Sequence, residues 1–367
     1  MAMERLAYLE KDKTLGDSGT TTTDITIKDP ITALFVEVRA TNGSSYNHNN
    51  NVLDCVSKIE LIDGSKVMFS MSAKQAFAQA CYDLGFWPQT KLSMLGGDPQ
   101  SAAIPILFGR FIGDPDRAFD PSRFVHPQLR ITWNLAAVRA VAATAFATGT
   151  GTLTVIARVM EGAPAPAGYL LKKEHYTWTT AVGTEYIELP TDLSIKSLLL
   201  RSYLAAYHPF GMVNNWKLNC DGGKFVPFDI GGEDLCFLLY QQLPRLSYRE
   251  SAHLKSGDTF YSHLKEYDDV QMISEDLNDV VYMYQNYEYG SQSVTIYTAG
   301  SATGNYINTG AHVHGYFPWG YFPYQFGKLA NLGDNFPAPS FGSARLEATG
   351  AVASGAGEVC LVQDQMY

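Results

Sequence analysis

The segment Gly16-Asp-Ser-Gly19 carries the residues of the nucleophile loop in trypsin-like proteases. A serine nucleophile needs a base to take its proton and an acid to orient that base, both from earlier in such folds. Only 15 residues precede this segment, so it reads as a loop. His312 and His314 alternate as strand residues do, and both could face one side to hold a metal with His253 or His263. A lone His-x-His is a weak metal signal, and surface or interface histidines are the plainer reading. Asp268-Asp269 and Glu275-Asp276 could hold Ca²⁺ at a subunit contact, although EF-hand spacing is absent. The 37 acids offer many carboxylate pairs for sugar hydrolysis, and the sequence selects none of them. No glycine-rich loop leads from a strand into a helix to cradle a phosphate. The expectation is a protein that is not an enzyme, with no catalytic residue, no metal site and no cofactor.

Composition narrows the class. Of 367 residues, 46% are hydrophobic and 17% charged, which favours a large buried core over disorder. The 22 Tyr and 19 Phe favour β-structure, and 32 Gly with 17 Pro supply turns. A net charge of −10 excludes a broad phosphate-gripping face, so no sequence-specific nucleic acid is expected as partner. Cys55, Cys81, Cys220, Cys236 and Cys360 are odd in number and lack CxxC spacing. Reduced thiols are expected rather than a disulfide framework or a zinc cluster. The opening residues carry charge where a signal peptide is apolar, and no run reaches the ~18 apolar residues of a membrane span. The most apolar stretch, Leu135–Ala147, is interrupted by Arg139 and reads as a strand end plus a loop.

The elements that must position any site read mostly as short strands. Residues 1–13 suit an amphipathic helix, with Leu6 and Leu9 on one side, or an arm without fixed form. Asp17–Thr23 reads as a loop, followed by strands at Ile25–Ile27 and Ala33–Val38. Val56–Ile62 alternates as a half-buried strand, Asp63-Gly64 signals a hairpin turn, and Lys66–Met71 returns. Ser72 suits a helix N-cap. Ala73, Ala76, Phe77, Ala80, Cys81 and Leu84 mark one helical face, ended by Gly85. Ile104–Phe111, Leu129–Leu135 and Leu153–Met160 read as strands. Gly162–Gly168 is a stiff Pro/Ala/Gly linker and places the domain boundary.

Beyond the linker the order repeats. Ile187 lies 162 residues after Ile25, and Arg201 the same distance after Arg39. Asp221-Gly222 lies 158 residues after Asp63-Gly64, and a helix-capable stretch at Glu233–Gln241 follows. Phe326-Gly-Lys328 echoes Phe108-Gly-Arg110. Ala344–Ala348 echoes Leu129–Trp133 with Arg345 for Arg130, and Glu358–Gln363 echoes Thr152–Ala157. The insert at about 243–305, with strand candidates at Val280–Tyr284 and Ser293–Tyr297, and the loop at Tyr82–Ile104 are long enough in a compact domain to expect a function for them. The run His314–Gly327 would be a sticky patch if exposed, so burial is expected, at a seam between subunits or in the domain core.

Two β-domains of about eight short strands each close best as paired antiparallel sheets. The fold expected is all-β: two tandem eight-stranded jelly-roll β-sandwiches with short helices between strands. An N-terminal arm would cover 1–20, the first roll 21–162, the linker 163–168 and the second roll 169–367. Ile59–Ser72, Pro105–Leu135 and the final strand ending at Tyr367 resemble the double jelly-roll major capsid proteins of tailless icosahedral viruses. That group includes adenovirus hexon and the capsid proteins of membrane-containing phages. The resemblance implies a structural protein of the virion, made in host cytoplasm, whose homotrimers form pseudo-hexagons that tile an icosahedral shell around the genome. It implies trimer–trimer contacts and penton and minor capsid partners and, in members that contain an internal lipid membrane, contact of the N-terminal arm with it. There Lys11 and Lys13 suit a weak interfacial role, and Glu4, Glu10 and Asp12 oppose strong binding to anionic lipid. The competing reading is a carbohydrate-binding or carbohydrate-cleaving sandwich, with Trp178, Trp216 and Trp319 as stacking platforms. A minor virion protein such as a spike is a third.

Overall fold

Alternation of apolar and polar residues sets the strands, and the turns set their ends. The computed structural model describes residues 3–44, 47, 51–93, 96–136, 146–204, 207–255, 259–261, 268–276, 283–285, 293–295, 306–328, 330–331 and 333–367, with side chains left out between 248 and 313. The first half contains β1 (Met3–Thr14), β2 (Ser18–Asp24), β3 (Ile31–Thr41), β4 (Val56–Asp63), β5 (Lys66–Met71), helix α1 (Ala73–Leu84), β6 (Thr90–Lys91), β7 (Pro99–Leu107), β8 (Pro127–Asn134) and β9 (Thr152–Glu161). The second contains β10 (Gly168–Thr179), β11 (Gly183–Leu189), β12 (Ile195–Tyr203), the short α2 (Pro209–Met212), β13 (Val213–Cys220), β14 (Phe225–Gly231) and α3 (Gly232–Gln242). It continues with β15 (Leu246–Lys255), β16 (Thr259–Tyr261), β17 (Asp268–Asp276), β18 (Met283–Gln285), β19 (Ser293–Thr295), β20 (Tyr306–Tyr316), β21 (Tyr321–Gln325), β22 (Ala344–Gly350) and β23 (Ala356–Met366).

Strand order exposes the duplication. In the first half, β1-β9-β3-β7 face β2-β8-β4-β5. In the second, β10-β23-β12-β21 face β11-β22-β13-β14. Each set is the other with its strands substituted one for one, eight strands per module in two four-stranded layers, plus the short β6 on the first. Two buried clusters fill the sandwiches. One gathers Ile59, Phe77, Ile104 and Val155; the other gathers Ile187, Leu198, Trp216 and Leu346. The all-β double jelly-roll expectation holds.

Matching contacts fix the equivalence residue by residue. Ile31 and Phe119 exchange both backbone hydrogen bonds, as do Ile195 and Phe336. Phe108 donates its N–H to Thr32, and Phe326 to Lys196, each at 3.1 Å. The Asp63 carboxylate accepts the N–H groups of Val125 and His126, at 3.1 and 2.8 Å. The Asp221 carboxylate accepts those of Gly342 and Ser343, at 2.9 and 3.0 Å. Phe119 stacks on Phe124, and Phe336 on Phe341, with centroids 5.1 and 5.4 Å apart. Both Asp-Gly turns and both Phe-Gly loops are therefore paired as the sequence indicated.

The strands between those anchors carry corrections. Ile31 corresponds to Ile195, which is 164 residues on, where the sequence comparison gave 162. The N–H groups that reach Asp63 and Asp221 come from residues 125–126 and 342–343, so Ala344 replaces Pro127 rather than Leu129, and Arg345 does not replace Arg130. Residues 3–14 form neither a helix nor a formless arm. They are a strand in register with β9, Met3 opposite Glu161. The expected loop from Ser18 onward is β2, and Ile25–Ile27 is no strand. The insert is no simple loop, because β15-β20-β17-β18 make a sheet of their own.

Helix α1 behaves as its sequence dictates. Ser72 accepts the Gln75 N–H while the Gln75 side chain accepts the Ser72 N–H, a reciprocal cap on the first turn. Gly85 ends it with φ 75°, a left-handed conformation that other residues adopt only under strain. No helix among the described residues is long and apolar enough to cross a membrane.

Candidate assembly surface

Sheet registers divide the molecule into two ends. The hairpins at 63–66 and 220–225, the Phe-Gly loops, residues 162–167, Met3 and Met366 share one end. The insert sheet and the loops around 42 and 147 lie toward the other. The surface most relevant to function is the seam where the modules meet, because it shows how this chain joins one roll to another.

At the seam a sheet of the first module runs into a sheet of the second. Strands β5 and β10 pair in parallel, Phe69 opposite Lys172 and Ser70 opposite Lys173. Helix α1 lies across the join. The Lys172 ammonium, 1% exposed, contacts the Asp83 carboxylate at 2.5 Å, and Gln79 donates to the same carboxylate at 2.8 Å. Gln75 donates to Glu174 at 2.5 Å and to Glu358 at 2.8 Å. Tyr82 Oη donates to the Tyr321 carbonyl at 2.6 Å. Gln75, Ala78, Gln79, Tyr82 and Asp83 make one stripe of the helix, and all but the half-buried Asp83 are buried.

Glu358 sits under that stripe. Burial raises its pKa, but Arg201 at 2.5 Å, the Tyr321 hydroxyl at 2.5 Å and Gln75 outweigh this and hold it below the usual carboxylate value. Burial pushes the Tyr321 hydroxyl well up, so it remains a donor. The run His314–Gly327 belongs here. Trp319 packs on Phe77 and Trp87 of the first module, while Phe317 and Phe322 pack on Phe210 of the second. The expected burial holds for residues 317–323, and the seam they fill is the one inside the chain.

The end that carries the termini is tied across the seam as well. Arg117 makes a two-pronged contact with Asp364, at 2.7 and 2.9 Å. Arg110 grips Asp114 and donates to the Ala330 carbonyl at 3.1 Å. Lys196, 2% exposed, donates to the carbonyls of Lys328, Asn331 and Asp334, and burial pushes its pKa down. Tyr367 donates to the Ala118 carbonyl and accepts the Asp120 N–H. No residue type in this set announced itself in sequence, because the pairs that cross from one module to the other are 89 to 283 positions apart.

The chemical candidates disperse. Asp17 accepts the Gly149 N–H, and the Gly16 carbonyl accepts the Trp133 indole N–H, so the Gly-Asp-Ser-Gly segment fastens a loop. The side chains of His253, His263, His312, Asp268, Asp269, Glu275 and Asp276 lie outside the described residues. Among the described residues no three His, Cys, Asp or Glu side chains stand together as a metal site would require. All five cysteines are buried and none is in a disulfide, and burial pushes Cys55 up to about 12. Trp216 and Trp319 are 0% and 1% exposed, so two of the three sugar platforms are core residues. The hollow beside Trp178, lined by Val182, Glu185 and Ala348, holds about 100 Å³, less than a sugar-sized pocket needs.

No protein-family model matches the sequence, and no curated protein does. Solved structures do match, over the whole chain. The major capsid protein P2 of bacteriophage PM2 superposes with a TM-score of 0.55 at 8% identity, covering 100% of this chain and 98% of that one. VP54 of PBCV-1, fitted into a cryo-EM reconstruction of the virophage Sputnik, gives 0.58 at 12% identity, covering 99% and 94%. The quasi-atomic model of the PBCV-1 virus capsid gives 0.55 at 13% identity, with the same coverage. With paired sandwiches, a shared seam and end-to-end likeness to these proteins, the chain has the double jelly-roll fold of viral major capsid proteins.

Proposed function

We propose that the chain is a viral major capsid protein, a structural subunit of the virion without catalytic activity. The observation that carries this is end-to-end likeness: both modules, and not one roll, align with proteins that are themselves major capsid proteins, over 94 to 98% of their length. The subunit self-associates as a homotrimer in which six rolls make a pseudo-hexagon, and trimers tile an icosahedral shell with penton and minor capsid proteins. The modules are residues 3–162, with β1 and β2 included where a separate arm over 1–20 was expected, and 169–367, joined through 163–168. An internal membrane, where one exists, would meet the end carrying the termini. Lys13 is held by Glu10 at 2.7 Å and residues 3–14 are in a sheet, which favours a modest lipid contact over an inserted arm.

Light scattering and negative-stain imaging of the purified chain test this. Discrete multimers of three chains with six-lobed outlines are expected. A monomer at tens of micromolar that is retained on a glycan column would overturn the assignment in favour of the sugar-binding reading.

A further inference from the structure

The seam inside the chain has two unfilled counterparts on its surface, and we infer that they fill each other: β14 and α3 of one copy receive β1 of the next. This rests on the assembly reading above and names its contact. In the second module the outer edge of β10 is occupied by β5. Its equivalent in the first module is β1, which among the described residues has a strand neighbour, β9, on one side only. The equivalent of β5 is β14, also at a sheet edge. Each chain therefore carries one joined pair and one half of a second pair at either extremity.

The register gives the residues. Leu6 faces Arg158 and Lys172 faces Val362, each one step before the partner of Ile31 or Ile195. Leu6 thus corresponds to Lys172, Ala7 to Lys173 and Tyr8 to Glu174. Leu61 faces Phe69 and Leu218 faces Phe228, so Phe69 corresponds to Phe228 and Ser70 to Asp229. Ser72 and Gly231 are the two helix N-caps, which pairs Ala78 with Phe237, Gln79 with Leu238 and Asp83 with Gln242. The joined seam then predicts Leu6 of the next copy opposite Phe228, and Ala7 opposite Asp229.

Exposure and chemistry agree. The stripe of α1 that covers the second module is Gln75, Ala78, Gln79, Tyr82 and Asp83. Its counterparts Asp234, Phe237, Leu238, Gln241 and Gln242 are all exposed, Phe237 by 65% and Leu238 by 44%. The β10 residues that contact α1 are Lys172 and Glu174; their counterparts Leu6 and Tyr8 are 67% and 59% exposed. Inside the chain the contact is polar: ammonium on carboxylate, amide on carboxylate. Between chains both sides have turned apolar together, leucine and tyrosine on one, phenylalanine and leucine on the other. Large apolar side chains left in water on two matched surfaces are what a lasting interface between copies requires. The contact is head-to-tail, so it excludes a two-fold pair, and repeating the step gives a ring where the rotation between copies closes.

Two chains with one added cysteine each test it, Ala7→Cys and Asp229→Cys, because the five native cysteines are buried. Each is expressed alone, and both together under distinguishable tags, then oxidised. The expected result is a covalent dimer carrying both tags in the co-expressed sample and none in either sample alone. Multimers without that product, or a dimer from one variant alone, overturn the seam while leaving the capsid reading standing. Monomers throughout overturn both. As a second measurement, Phe237→Asp with Leu238→Asp should weaken self-association at least tenfold and leave the unfolding midpoint unchanged. Association within twofold of the parent would place the interface elsewhere.

Discussion

Replacing Lys172 with methionine keeps the length of the side chain and removes its charge. Asp83 would then be left in a site where its side chain is 6% exposed, with only the Gln79 amide for company. Removing one member of such a buried pair costs about 3–5 kcal/mol, because the remaining ion has lost water and partner alike. An unfolding entropy of about 2.1 cal/mol/K per residue gives roughly 0.8 kcal/mol/K for a chain of 367 residues, so the melting point should fall by about 5 °C. The second change, Asp83→Leu on top of Lys172→Met, removes both charges and should recover most of that loss. Scanning calorimetry and urea titration of the four proteins measure the coupling directly. If Lys172→Met melts within 1 °C of the parent, or the double variant is no better than the single, the two modules are not held by this pair.

Asp63→Ala and Asp221→Ala each remove the acceptor of two exposed backbone N–H groups that water can then solvate, and should cost about 0.5–1.5 kcal/mol apiece, alike in size because the two hairpins do one job; urea midpoints compare them. Gly327→Ala places a Cβ 2.4 Å from Asp334 Cβ at φ +88°, and Gly109→Ala places one 2.4 Å from the Arg117 carbonyl; both should lower the melting point, and soluble wild-type-like protein from both would refute the loop packing. The lowered carboxyl of Glu358 stabilises the fold fully above its ordinary value of 4.5, and the gain is lost as pH falls through the lower folded value; Glu358→Gln should flatten the loss of melting temperature below pH 4.5. Ser72→Ala removes the cap of α1 and should cost about 1 kcal/mol, read by denaturant titration.

What could be read from sequence depended on residues that are not interchangeable. Asp63-Gly64 and Phe108-Gly-Arg110 found their partners at the right spacing because a left-handed glycine, a carboxylate at a hairpin and an aromatic under a loop each tolerate few substitutes. The strands between them were matched two residues out of place. A strand shows the same face every second residue, so a slip of two leaves every side chain on its proper side and costs the pattern nothing. Ile25 for Thr23 and Ala33 for Ile31 are slips of that kind. The first strand escaped for a related reason. Met3–Thr14 is mostly exposed on both faces, so it lacks the alternation that betrays a half-buried strand, and its leucines imitate a helical stripe. The seam was invisible because its partners are distant in sequence and individually ordinary.

If copies join as inferred above, the duplication also explains how one chain can distinguish its two kinds of neighbour. Two modules built on the same eight strands offer the same edges, and identical edges would pair indiscriminately. The chain avoids this by changing chemistry at matched positions. Lys172 meets Asp83 only where the linker brings β10 beside β5, and a leucine in place of that lysine would leave Asp83 buried and unpaired. Leu6 conversely finds nothing to gain beside a buried aspartate, and matches a helix stripe that carries Phe237 and Leu238. A wrong pairing within the ring inferred above would strand a charge at about 3–5 kcal/mol, more than enough to set the order of modules around it. Polarity at the covalent seam and greasiness at the open one amount to a sorting rule written into two copies of one fold.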